Sequence, residues 1–113
     1  MTRKNLLAFM IIITLIIISG GCAQNPDQKD TGDTAKTECI DLCNQQLEKR
    51  TDLSAGPCLS DPGVIAGDWV CDVAHSPRLQ VDNQQENQCK AFREGRALHF
   101  VEVDETCNII TVY

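Results

Sequence analysis

Aromatic side chains are scarce in this chain: one tryptophan, one tyrosine and three phenylalanines in 113 residues. A glycan- or peptide-binding platform needs several aromatics exposed together. Trp69, Phe92, Phe100 and Tyr113 stand apart in the sequence, and core packing accounts for each of them. Histidine is scarcer still, with only His75 and His99. A metal site drawing on these two with Asp72 and Asp82 has no recognisable ligand spacing, and His99 sits among apolar neighbours as a structural histidine does; no metal or other cofactor is expected. There is no C-x-x-C, which excludes the common redox motif. Cys39 and Cys43 form one short pair, but no second pair follows, as a zinc site would require. Positive charge is also in short supply. Sixteen acidic and eight basic residues follow Cys22, a net charge of −8, which repels a phosphate backbone and excludes nucleic acid as a partner.

A spanning helix needs about 20 apolar residues, and no run reaches that length. The run from Leu6 to Ile18 has thirteen, apolar except for Thr14. Arg3 and Lys4 precede it, and Ser19, Gly20, Gly21 and Cys22 follow. A positive head, a short apolar core and a small-residue exit describe a secretory signal peptide. Ser19-Gly20-Gly21-Cys22 resembles the lipobox of prokaryotic lipoproteins, with Ser19 where that pattern usually carries an aliphatic residue. The resemblance covers residues 1–22 alone. It implies a signal peptide over residues 1–21 and a lipid on Cys22. The plainer alternative is an uncleaved N-terminal anchor with Cys22 incidental. Both readings tether the rest of the chain to a membrane on its extracytoplasmic face, whether periplasm or cell surface. Residues 22–37 are polar, with alanine their one aliphatic residue type, and are expected to be a flexible stalk.

Seven cysteines is an odd number for an exported chain, and Cys22 accounts for the odd one. The remaining six, Cys39, Cys43, Cys58, Cys71, Cys89 and Cys107, all fall in residues 38–113 and are expected to form three disulfides. A domain of this size has little core, and each bridge contributes about 2–4 kcal/mol.

Cys39, Ile40, Cys43 and Leu47 recur at helical spacing over residues 38–50, with Leu42 widening the face and Thr37 placed as N-cap. Two cysteines four apart on one helical face should reach two different partners. Turn signals fill residues 51–68. Residues 69–74 alternate as a strand. Asn83 and Glu86 resemble a capping box that opens a short helix closed by Gly95. Residues 97–103 and 107–113 read as a hairpin. The expected class is α+β: two short helices and a small antiparallel sheet of about three strands, stapled by disulfides.

The segment 75–88 is dense in polar side chains. His75, Arg78, Asp82 and Asn83 are its candidate binding residues, although Asp82 and Asn83 serve equally well as a helix start. His75 and Ser76 are neighbours that point apart in an extended chain, a poor nucleophile–base geometry. No carboxylate pair is singled out, so no enzyme is expected. The functional expectation is a membrane-anchored lipoprotein displaying a small binding or structural domain, its partner an envelope protein or glycan. The alternative is a disulfide-rich protease inhibitor that uses the 54–62 loop around Cys58.

Overall fold

The computed structural model describes Gly21 and residues 26–113, with side chains from Thr31 onward. The apolar run and Cys22 lie outside the described residues. Helix α1 spans Pro26–Glu48, and strand β1 spans Trp69–Val73. Two 3₁₀ turns follow at Gln80–Asn83 and Gln85–Asn87, then the short helix α2 at Lys90–Arg93. Strands β2 (His99–Val103) and β3 (Ile109–Val112) complete the chain. The class is α+β as expected: two helices, three strands and three disulfides.

One expectation about the sheet is corrected. Its order is β1-β2-β3, with β2 and β3 antiparallel but β1 and β2 parallel. The parallel pair arises because residues 74–98 form a crossover containing the 3₁₀ turns and α2, rather than a tight turn. In register, Trp69 pairs with His99, Cys71 with Val101 and Asp72 with Glu102.

This alternation sorts the sheet into two faces. Trp69, Cys71, Val73, Val101 and Val103 face α1 and close a core with Ala35, Cys39, Cys43, Leu53 and Cys107. Val70 packs on the opposite face with Cys89, Ala91 and Ala97, joined by half-buried Cys58 and Phe100. The two faces are stapled separately. Cys39–Cys71 and Cys43–Cys107 tie α1 to β1 and to the β2–β3 hairpin, so the two helical cysteines do reach different partners. Cys58–Cys89 ties the 51–68 loop to the start of α2.

The helix start is also corrected. Residues 26–37 were expected to be stalk, but α1 runs through them and Thr37 lies mid-helix, its Oγ1 donating to the Asp33 carbonyl at 3.1 Å. Ala35 is wholly buried. A Cβ on Gly32 would stand 3.4 Å from the Trp69 ring. These small residues let the helix lie close on the sheet while adding almost nothing to an apolar signal, so composition alone hid the packing. The boundary expected at residue 38 therefore falls inside α1. Leu47, expected on the inner face, is 41% exposed.

Two Schellman motifs end the helices. After α1 the Thr51 amide donates to the Gln46 carbonyl and the Arg50 amide to the Leu47 carbonyl, both at 2.9 Å, with Arg50 at φ 58°. After α2 the Arg96 amide donates to Ala91 and the Gly95 amide to Phe92, with Gly95 at φ 72°, as its placement in the sequence suggested.

Candidate functional site

The candidate residues of segment 75–88 do come together, but chiefly with one another. Asp82 is 2% exposed and lies at the centre. Its Oδ2 accepts from the amides of His75 (3.1 Å) and Leu79 (2.8 Å), and its Oδ1 contacts His75 Nδ1 at 2.8 Å. Burial pushes this carboxyl up, but the bonds from Leu79 and His75 outweigh it, and Asp82 ends below its ordinary value. His75 Nε2 faces Glu105 Oε1 at 2.6 Å. Its two ring nitrogens thus face two carboxylates, which an imidazolium satisfies by donating from both. The hydrogen bond to Asp82, above all, raises the His75 pKa.

Asn83 does not open a helix. It ends the first 3₁₀ turn and its Oδ1 accepts from Arg78 Nε at 2.9 Å. Helix α2 starts later, at Lys90, whose amide donates to Asp61 Oδ1 from the distant 51–68 loop at 2.7 Å. The capping-box pattern fails here because the Asn83 side chain is taken up by Arg78 and the chain turns extended at Gln84 (φ −69°, ψ 134°). Arg78 also donates to the Asp82 carbonyl at 3.2 Å and to Glu102 Oε1 at 2.7 Å. Two of the four candidates reach concave surfaces: His75 lines a shallow one with Pro77, Leu79 and Glu105, and Arg78 lines the one over the sheet.

That surface is a cleft of about 280 Å³ on the sheet face away from α1. Val70, Asp72, Phe100 and Glu102 form its floor, in two register rows of the parallel strands. Arg78, Gln88, Cys89 and Phe92 form its walls. Phe92 stands edge-on to Phe100 at 5.2 Å between ring centroids, and Tyr113 stacks on Phe100 at 5.2 Å. Asp72 Oδ1 is buried and has no hydrogen-bond partner. Burial, and next the charge of Glu102, push the Asp72 carboxyl up to about 8; Arg78 partly offsets this and Asp82 adds to it. At neutral pH Asp72 is mostly a neutral acid beside an arginine-paired carboxylate.

Asp72, Glu102, Gln88, Phe92 and Phe100 were not singled out as binding residues from sequence. A signal existed: Asp72 and Glu102 are each an acid within an otherwise strand-like apolar run. Their adjacency depends on parallel pairing, which no local pattern encodes.

Among the described residues, the ligand atoms of Cys58, Asp72 and Cys89 lie within 4.8 Å of one another. Cys58 and Cys89 are bonded to each other and offer no thiolate to a metal. His99 lies elsewhere, stacked on Trp69 at 4.7 Å. The loop around Cys58, the stretch a protease inhibitor would present, is held against the body of the domain. The Leu59 amide donates to Cys71, the Val73 amide to Pro57 and the Cys71 amide to Ser60 Oγ, which lays the segment along the free edge of β1. Among the described residues no helix is long and apolar enough to cross a membrane.

Compared with protein-family models, curated proteins and solved structures, the chain matches none.

Proposed function

We propose that this chain is a membrane-anchored, extracytoplasmic lipoprotein that displays a small disulfide-stapled binding domain. The observation that carries the reading is the cysteine balance. Three bridges use six of the seven cysteines. The seventh, Cys22, stands directly after the small residues that close the apolar run, where a lipobox-like signal places its acceptor. Disulfides at this density suit an oxidising compartment outside the cytoplasm. The anchor holds the domain at the envelope, and the cleft over β1 and β2 supplies a concave surface for an envelope component.

The test is intact mass on protein extracted from membranes. The wild type is expected to have lost residues 1–21 and gained lipid at its new N-terminus, and Cys22→Ser to lose both changes. A wild-type mass equal to that of the unmodified full chain would sink the lipoprotein reading.

A further inference from the structure

We propose that the cleft between β1–β2 and α2 binds a primary ammonium group carried on a short apolar chain, with Asp72 and Glu102 as its anchors and Phe92 and Phe100 as its apolar wall. The inference rests on reading the domain as a binding module and names the chemistry of its ligand.

Four observations point the same way. First, Asp72 Oδ1 is shut from solvent without a partner. A buried acceptor left unpaired is costly, and folded proteins rarely keep one without a use. Second, the cleft holds two carboxyls side by side but one cation, Arg78, which is already engaged by Glu102 at 2.7 Å. An anion would meet both acids. An ammonium brings three donors and no acceptor, which suits the oxygens of Asp72, Glu102 and the Gln88 amide. Third, Phe92 is 38% exposed at the wall and Phe100 lies edge-on to it. Aromatic faces attract cations within about 6 Å and also cover a hydrocarbon chain. Fourth, about 280 Å³ is small for a ligand site and fits an amine of a few carbons rather than a bulky metabolite. The net charge of −8 after Cys22 further concentrates cations near the surface.

Ion pairing requires the Asp72 carboxylate. The charged groups acting on that carboxyl are Glu102 from β2, and Arg78 and Asp82 from the crossover; the Val73 backbone acts on it as well, in the lowering sense. In the empty cleft burial, then Glu102 and Asp82, outweigh the opposing Arg78 and keep it protonated at neutral pH, so an arriving ammonium displaces one proton to solvent. Affinity should then rise about tenfold per pH unit until the carboxyl of the empty cleft ionises by itself.

The ammonium could be free or belong to a lysine side chain, so both are probed. Full-length oxidised protein in detergent micelles is titrated by calorimetry with 2-phenylethylamine, with Nα-acetyl-lysine methylamide, and with 2-phenylethanol as the uncharged counterpart. The expected result is binding of at least one ammonium probe and none of the alcohol. Affinity should increase about tenfold from pH 6.5 to 7.5, with one proton released as read from two buffers of different ionisation enthalpy. The better-bound ammonium probe identifies the source. Asp72→Asn should abolish binding with the disulfides intact, and Phe92→Ala, a change at the exposed rim, should weaken it severalfold. Equal binding of the alcohol, no binding of either ammonium probe at pH 8.5, or wild-type affinity in Asp72→Asn overturns the proposal. A chain that captures an envelope component yet ignores both ammonium probes overturns the cleft assignment and leaves the binding reading standing.

Discussion

The Asp82 carboxylate holds His75 twice, through the backbone amide at 3.1 Å and the ring Nδ1 at 2.8 Å. With the Leu79 amide it closes residues 75–82 into a loop around one buried charge. This loop carries Arg78 to the cleft, so the site depends on a residue that does not touch it.

Replacing Asp82 by alanine should therefore cost about 2–3 kcal/mol, because hydrogen bonds to a charged group are the strong ones and two amides lose their acceptor. Gly56→Ala should reproduce part of the loss. Gly56 has φ +69°, and an added Cβ would lie 2.5 Å from Asp82 Oδ1 and 3.0 Å from the Val73 carbonyl. Urea denaturation of oxidised protein measures both. A midpoint unchanged in Asp82→Ala would show that the loop is held by something else.

Stability should fall as pH rises from about 4 to about 8. Two groups that titrate in this range hold a proton more tightly in the folded state. Asp72 moves from 3.8 up to about 8, chiefly through burial and then through Glu102. His75 is raised above 6.5 by its bond to Asp82 first of all. Wherever the folded state binds more protons, rising pH favours unfolding. The Asp72 contribution is complete below pH 3.8 and is lost towards pH 8; that of His75 is present below pH 6.5 and is lost through its raised value. Asp82 and Asp104 have lowered values and act in the opposite sense, below about pH 3.8. The denaturation midpoint should be higher at pH 5 than at pH 8.5. Asp72→Asn should flatten the change between pH 5 and 6, and His75→Gln should reduce the change above 6.5. A wild-type midpoint that climbs from pH 5 to 8.5 would contradict these assignments.

Removing the longest bridge should cost the most. Cys43 and Cys107 are 64 residues apart, against 32 and 31 for the other two pairs. In the loop-entropy account this bridge contributes about 4 kcal/mol. Cys107 also occupies the left-handed position of the hairpin turn (φ 68°), which glycine usually takes, and the bridge holds it there. The Cys43→Ala/Cys107→Ala double variant should lose more stability than Cys58→Ala/Cys89→Ala. Mapping of non-reduced peptides from wild type should return the pairs 39–71, 43–107 and 58–89, with no free thiol among the six.

The sequence by itself determined whatever depends on neighbours along the chain. Cysteine parity called for three bridges, and the spacing of Cys39 and Cys43 required two separate partners. Alternation marked β1 and the hairpin, and Gly95 marked the end of α2, because each signal reports a local backbone geometry. Tertiary structure decided what depends on contacts between distant segments. The start of α1 is set by Gly32 and Ala35 lying close to Trp69 and the core, a contact made by residues too small to register as apolar. The parallel pairing of β1 with β2 follows from a 25-residue crossover, and only that pairing sets Asp72 beside Glu102. Asn83 opens no helix because its side chain accepts from Arg78 instead, a partner that the fold of residues 75–82 around Asp82 brings to it. The cleft was illegible for the same reason: its floor comes from two strands, its wall from α2 and its cation from the crossover loop, and pairwise proximity across that distance is fixed by packing, not by local pattern.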